Sequence, residues 1–388
     1  MSSLRFKVMC IVGARPNFMK IAPIMKQFSL RASEVATVLL HTGQHYDHAM
    51  KTLLFDQLQI PVPDIDLEVR GGSHAEQTAH IMLKFEPVLD EIKPDAILVV
   101  GDVNSTIACA LVSIKKHIPV IHVEAGLRSE DMAMPEEVNR VLTDKISQKL
   151  YTTERLGNEN LIKEGVKESC IRFVGNVMID TLLANQKIAP ELTTVEATYK
   201  LAGFLNKRAE YEGKFAFVTM HRPSNVDNPE TLKSLLRSLN EVALHLPIVF
   251  AVHPRTRKNI EQFGLLEQLA SENIFTCEPV GYLDSITLMS KATMVLTDSG
   301  GIQEETTALG VPCITLRENT ERWITVHEGT NTVVGTSHTA IMAAVNAIMA
   351  GKGKAGRRPE LWDGHAAERI VEDLLDWFKS NGHKSLNV

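Results

Sequence analysis

Short apolar runs recur along this chain, each closing on a cluster of small or polar residues and leading into a helix-length stretch with apolar positions every three to four residues. That pattern dictates strand, helix, strand, helix, and it constrains the fold more than any other feature. In the first half the runs predict strands over Phe6–Val12, Val35–His41, Ala96–Val100, Val120–Val123 and Ile171–Val174, which end at GARPN, TGQH, GDVNS, EAGLR and GN. In the second half they predict strands over Phe215–Thr219, Ile248–Val252, Ile274–Thr276, Met294–Thr297 and Cys313–Thr315. None alternates strictly between apolar and polar, so both faces must be covered, as in a parallel sheet between two layers of helices. The expected fold class is α/β.

A chain of 388 residues exceeds what one hydrophobic core usually organises. The pattern loosens through the polar stretch Asn185–Gly213, which places one α/β domain at residues 1–180 and a second at 181–365. Residues 366–388 carry a C-terminal amphipathic helix able to pack on either domain. The start MSSLRFKVMCIV leads straight into the first strand and is too short for a secretory leader, and no run approaches the ~20 apolar residues of a membrane span. A net charge of −6 gives no global attraction for nucleic acid or an anionic membrane, so phosphate would have to be held by locally placed Arg, Lys and backbone N–H groups. The five cysteines are widely spaced and mostly apolar in context, as reduced thiols of the cytoplasm would be.

Two motifs match in letters only. Gly351, Gly353 and Gly356 spell a dinucleotide fingerprint, but they follow a helical run rather than a strand, so no nicotinamide cofactor is expected there. His41, His45 and His48 have helical spacing, yet no Cys or Glu nearby completes a metal set, and no metal is expected.

In open α/β sheets ligands sit beyond the carboxyl ends of strands. After the first strand, Arg15 can fork onto a phosphate and Lys20, one turn into the helix, adds a point charge. Asp102 follows the buried run AILVV, where it is either a turn former or a functional carboxylate, with Asn104 or Ser105 available to cap the next helix. Glu124, at the end of the apolar VIHV, needs a partner, and Arg128 is available. Pro135 marks a helix start with Glu136 in its first turn and Arg140 four residues on, a spacing that a plain surface ion pair would also explain. His221 and His253 end corresponding strands, which suits phosphate contact or proton transfer. The segment from Thr297 to Glu305 runs a strand through Ser299, Gly300 and Gly301 into a helix N-terminus, whose free N–H groups can hold a diphosphate, with Glu305 one turn inside to accept from ribose hydroxyls.

Together these segments resemble the non-hydrolysing UDP-N-acetylglucosamine 2-epimerases, a family of the two-domain glycosyltransferase-B fold. VGARPNFMK, VGD, HVEAGLR, MPEEVNR, HRPSN, HPRTR, TDSGGIQEE and RENTER fall in the family order over nearly the whole chain. The resemblance implies two Rossmann-like domains with parallel sheets facing a central cleft, the first carrying the sugar-site carboxylates and the second the UDP. It implies Arg15, His221, Ser299, Gly300 and Gly301 around the diphosphate, Glu305 on the ribose, and Asp102, Glu124 and Glu136 near the sugar as acid/base or electrostatic groups. Lys20, Arg140, His253 and Arg322 complete the cleft, and His221 joins the three carboxylates as a catalytic candidate. The implied reaction inverts carbon 2 of UDP-N-acetylglucosamine by loss and return of UDP, with no cofactor, in a cytoplasmic homodimer. The rival readings are a UDP-2,3-diacetamido-2,3-dideoxyglucuronate 2-epimerase, a hydrolysing epimerase, a UDP-sugar glycosyltransferase of the same fold and a non-catalytic nucleotide-sugar sensor. Three departures stand out. Trp323 replaces the Pro that often follows T-E-R, Asp47 replaces the second Gln of a Q-H-x-Q activator segment, and Ser285 stands where some members carry an aromatic near the uracil.

Overall fold

A computed structural model of the chain describes residues 5–43, 58 and 60–381. The described strands form two sheets, every pairing in which is parallel. In the first, β1 (Phe6–Val12), β2 (Val35–His41), β3 (Ile65–Asp66), β4 (Ala96–Val100), β5 (Val120–Ala125), β6 (Lys149–Thr152) and β7 (Ile171–Phe173) lie in the order β3-β2-β1-β4-β5-β6-β7. In the second, β8 (Ala216–Met220), β9 (Ile248–Val252), β10 (Ile274–Cys277), β11 (Met294–Thr297), β12 (Cys313–Thr315) and β13 (Asn331–Val333) lie in the order β10-β9-β8-β11-β12-β13. Both orders reverse direction once, between β1 and β4 and between β8 and β11. Crossovers leave such a point in opposite directions and open a crevice at the carboxyl ends of the two strands.

The chain divides into two compact units. One runs through Leu183 and takes in the chain from Glu360 onward; the other spans Ala184–Pro359. The sequence reading sets its turning points at 180 and 365. In the first unit Met9, Ile11, Ile97 and Val99 pack under Ile81, Phe85 and Leu89 of the helix His74–Ile92. The helix Ala366–Asn381 belongs to this unit: Phe378 stacks on Phe6 at 4.7 Å and Lys149 Nζ meets Asp373 at 2.6 Å.

The second unit shows why its strands read as unbroken apolar runs. Ala216, Val218 and Met220 enter one buried cluster while Phe215 and Phe217 enter another on the opposite face. The helix Pro229–Val242 covers the first of these. It starts on Asn228, whose side chain accepts the Thr231 N–H at 3.0 Å, has Pro229 in its first turn, and buries Leu232, Leu235, Leu236 and Leu239 on one stripe. Burying one such leucine contributes roughly 1.5–3 kcal/mol.

Sequence periodicity misses three strands. β3 has 2 residues, β6 reads KLYT with a lysine at its head, and β13 reads NTV. These are sheet positions set by their neighbours rather than by their own hydrophobicity.

Candidate active site

In the first unit the polar residues gather at the β1/β4 crevice. Asn17, one turn into the helix Arg15–Leu30, accepts the N–H groups of Gly13 and Ala14 at 3.1 and 2.9 Å and donates to the Val100 carbonyl at 2.9 Å, tying the first turn to the end of β4. Lys20 lies one turn further, 4% exposed, and its Nζ donates to Glu124 Oε1 at 2.7 Å. Glu124 is 1% exposed and has a positive φ of 73°, inside a register shift between Val123 and Ala125. A left-handed, non-glycine residue in a β-bulge costs about 1–3 kcal/mol of strain, and such strain clusters where a side chain must be re-aimed. Arg128 is not its partner. That guanidinium runs instead to Asp144 at 2.8 Å and Glu164 at 2.7 Å.

Gly101 follows β4 with φ +68°, and a Cβ there would stand 2.8 Å from Lys20 Nζ, so glycine is required by both conformation and space. Asp102 comes next and takes Arg140 Nη2 at 2.6 Å. Arg140 also pairs with Glu137, so the expected pairing of Arg140 with Glu136 is replaced. Glu136 stays half-buried in the first turn of the helix Pro135–Ile146 and, among the described residues, makes no ion pair. The cap of the helix Asn104–Lys115 is also corrected: Val103 occupies the cap position, and Asn104 sits inside the helix, donating to Gln77 at 2.7 Å.

The second unit builds differently. β11 leads directly into Asp298, fully buried, whose carboxylate accepts the N–H groups of His221 and Arg222, each at 2.9 Å, and meets His221 Nδ1 at 3.1 Å. Burial opposes its ionisation, but the hydrogen bond and charge of His221 and the Arg222 and His221 N–H groups hold the carboxyl below its usual range. His221 thus ends β8 with its ring anchored, and the exposed His253 ring lies 5.5 Å away. Ser299 caps the helix Gly300–Leu309 without spending its hydroxyl on a cap bond, and it is partly exposed together with Gly300 and Gly301. A Cβ at Gly300 would meet Glu321 Oε1 at 2.7 Å, so the chain from Arg317 to Arg322 is packed against this first turn. Arg317 holds Glu321 at 2.8 Å and Arg322 lies 3.5 Å from Glu304, all four side chains being buried. Glu305, also buried, sits one turn in. Trp323 begins a short helix and stacks on His327 at 5.9 Å.

The structure brings Lys20, Asp102, Glu124 and Arg140 to one crevice, with Glu136 one turn before Arg140 on its helix, and sets His221, His253, Ser299, Gly300, Gly301, Glu305 and Arg322 around the start of the helix Gly300–Leu309 and the end of β8. The Arg15 side chain lies outside the described residues, as do Gln44, His45, Asp47 and His48. His41 is buried and meets Asp66 at 3.0 Å. Sequence reasoning overlooked Asp298, Glu137 and the pair His122–Asp144. A histidine inside the buried run VIHVEA was the available signal, because its ring must find partners there.

A family model described as UDP-N-acetylglucosamine 2-epimerase matches residues 29–375. The UDP-N-acetylglucosamine 2-epimerase of Methanocaldococcus jannaschii is 41% identical over 371 residues, covering 95% of this chain and 98% of that one. The UDP-2,3-diacetamido-2,3-dideoxy-D-glucuronate 2-epimerase of Pseudomonas aeruginosa is 37% identical over 95% of this chain and 99% of its own length. Among solved structures, the M. jannaschii UDP-GlcNAc 2-epimerase in complex with UDP-GlcNAc and UDP superposes with a TM-score of 0.83 at 39% identity, covering 95% of this chain and 99% of that one.

Proposed function

We propose that this chain, which belongs to the UDP-N-acetylglucosamine 2-epimerase family, is a non-hydrolysing isomerase that interconverts UDP-N-acetylglucosamine and UDP-N-acetylmannosamine. The observation that carries the reading is the convergence of Glu124, held in a strained left-handed bulge, and Asp102 at the end of β4, with Lys20 and Arg140 paired to them.

The chemistry needs that convergence. The hydrogen on carbon 2 has no adjacent carbonyl to stabilise a carbanion, so its direct removal is very unfavourable. When the bond from carbon 1 to the diphosphate oxygen breaks, its electron pair leaves with UDP, and the pair of the C2–H bond fills the new C1–C2 double bond of 2-acetamidoglucal while the proton passes to a carboxylate. Return of a proton to the opposite face and re-addition of UDP complete the inversion. No hydride moves, so no nicotinamide is called for. Lys20 and Arg140 hold Glu124 and Asp102 in place. The N–H groups that open the helix Gly300–Leu309, with His221 and Ser299, take the diphosphate, and Glu305 takes the ribose. In domain terms, the first unit works on the sugar and the second holds UDP.

The glucuronate reading is the weaker one. Its extra carboxylate would need a cation near the sugar, yet Arg128 and Arg140 are already committed to Asp144, Glu164, Asp102 and Glu137. Among the described residues no helix is long and apolar enough to cross a membrane. A homodimer working in the cytoplasm, where nucleotide sugars are made, completes the proposal.

Incubation with UDP-N-acetylglucosamine alone, followed by NMR, tests it. The expected result is a mixture of the two UDP-sugars. Accumulation of UDP with free N-acetylmannosamine would show a hydrolysing enzyme, and no change without an added acceptor would point to a transferase.

A further inference from the structure

Three successive carbonyl groups at the end of β4 are each held by a side chain from a different element. Val100 O takes Asn17 Nδ2 at 2.9 Å from the helix Arg15–Leu30, Gly101 O takes His122 Nε2 at 2.8 Å from β5, and Asp102 O takes Asn139 Nδ2 at 2.9 Å from the helix Pro135–Ile146. The central contact is unusual in its construction. His122 is fully buried, and its other nitrogen, Nδ1, lies 2.6 Å from Asp144 Oδ1.

A carbonyl oxygen can only accept, so Nε2 carries a proton. Asp144 is held ionised: burial works against it, but the charge and hydrogen bond of His122 and those of Arg128 keep its carboxyl below the usual range. Its second oxygen accepts the Gly126 N–H at 3.1 Å and faces Arg128 at 2.8 Å. Nδ1 meets that carboxylate, and the ring is locked by a contact at each end. The Gly101 N–H, for its part, is bound to the Val123 carbonyl at 3.1 Å, so Gly101 is gripped on both sides by β5. Glycine with φ +68° has no side chain of its own to fix it, and Asp102 follows directly.

We propose that His122 is a positioning residue for the epimerisation, its Nε2–H on the Gly101 carbonyl fixing the turn that presents Asp102 to the sugar. The inference rests on the reading of Asp102 as a group of the reaction. In this arrangement Asp144 serves His122 by holding the ring, and the bond to Gly101 is what reaches the site.

Two substitutions separate the two ends of the ring. In His122→Asn the amide nitrogen replaces Nδ1 and stays within reach of Asp144 while the Gly101 bond is lost. In His122→Gln the amide nitrogen replaces Nε2 and keeps the Gly101 bond. Turnover of UDP-N-acetylglucosamine is measured per UDP-binding site, with KM and the rate of deuterium exchange at carbon 2, on the full chain. His122→Asn is expected to lower kcat at least ~30-fold with KM within ~3-fold, the effect of a small misplacement of a reacting group. His122→Gln is expected to recover at least ~10-fold of that loss, since the donor that fixes the turn is restored. Equal rates for the two variants, or the reverse order, would overturn the proposal. Should neither variant fold, Asp144→Asn decides, because Asp144 holds the ring that holds Gly101: a fall in kcat of at least ~5-fold with KM within ~3-fold supports the positioning role, and native kcat refutes it. Asp102→Asn run in parallel keeps the two ideas apart. If it stays active, the reading of Asp102 fails; if it is inactive while His122→Asn turns over normally, only the role of His122 fails.

Discussion

At the carboxyl end of its sheet, the first unit carries a chain of closed ion pairs: Lys20 with Glu124, Asp102 with Arg140, Arg140 with Glu137 and Arg128 with Asp144. At the corresponding place the second unit presents a half-exposed Ser299-Gly300-Gly301 turn, with Asp298, His221 and the Arg317–Glu321 pair behind it. The two arrangements serve different ends. Buried ion pairs recover their desolvation penalty only when geometry is close to ideal, so a site made of them is rigid and its carboxylates are held in fixed positions. Backbone N–H groups at a helix start carry no net charge, need little desolvation, and accept an anion that comes and goes. The contrast matches a division of labour in which one unit moves a proton and the other grips and releases a leaving diphosphate.

The sharpest way to break the comparison is to remove the charges. Asp102→Asn, Glu124→Gln and Glu136→Gln should each lower kcat at least ~100-fold while UDP affinity stays within a few-fold, as loss of a general acid or base does. Stopped turnover and calorimetric UDP binding, measured on the same preparations, check this. Near-normal turnover in any of the three would remove that residue from the chemistry. On the other unit the effect should invert. Ser299→Ala there, and Arg15→Ala in the first unit, should weaken UDP roughly 20-fold, the scale of a lost hydrogen bond to a charged group, with kcat at saturation changed far less.

A narrower test concerns the committed arginines. If Arg128 and Arg140 are unavailable to a substrate carboxylate, UDP-N-acetylglucosamine should be preferred over the diacetamido-glucuronate compound by at least ~10-fold in kcat/KM, a gap of about 1.4 kcal/mol. Competition with both sugars, resolved by mass, measures it, and preferential conversion of the glucuronate would reassign the substrate.

The smallest expected effect is in stability. Burial pushes Asp180 in the first unit up to about 6, against the pull of the Ala367 and Ala366 N–H groups, whereas Asp298 in the second is held low. The signs are opposite. A raised carboxyl stabilises the fold relative to its ionised form at low pH and loses that contribution as pH rises from about 4 to about 6; a lowered one contributes above about 4 and loses it as pH falls. Relative to native, Asp180→Asn should therefore gain thermal stability by a few degrees across the rise from pH 4 to 6, and the deficit of Asp298→Asn should shrink as pH drops below 4. Parallel pH trends in the two variants would contradict both assignments.

Strands made mostly of consecutive apolar residues are legible in the sequence: the expected bounds Phe6–Val12, Val35–His41, Ala96–Val100, Ile248–Val252, Met294–Thr297 and Cys313–Thr315 match the structure to the residue. β6 and β13 are not, since a lysine or an asparagine in a strand is explained only by neighbours that are distant in sequence. The same limit governs the sites. Gly300 and Gly301 announce a helix start locally, but which arginine meets which carboxylate depends on crossovers. Sequence proximity offers Arg128 to Glu124, whereas the fold brings it to Asp144 and Glu164; helical spacing offers Arg140 to Glu136, whereas it reaches Glu137 and across to Asp102. Spacing fixes neighbours on one helix. It says nothing about what a parallel sheet sets beside them.

The claim that the first unit moves a proton at carbon 2 is tested most directly by turnover of UDP-N-acetylglucosamine in heavy water, with no nicotinamide added, read by NMR of both recovered UDP-sugars. Deuterium at carbon 2 of each epimer is the predicted result, because the proton lost to a carboxylate exchanges with solvent before one returns. Full retention of the original hydrogen in the epimerised product would contradict elimination, and with it the division of labour between the two units.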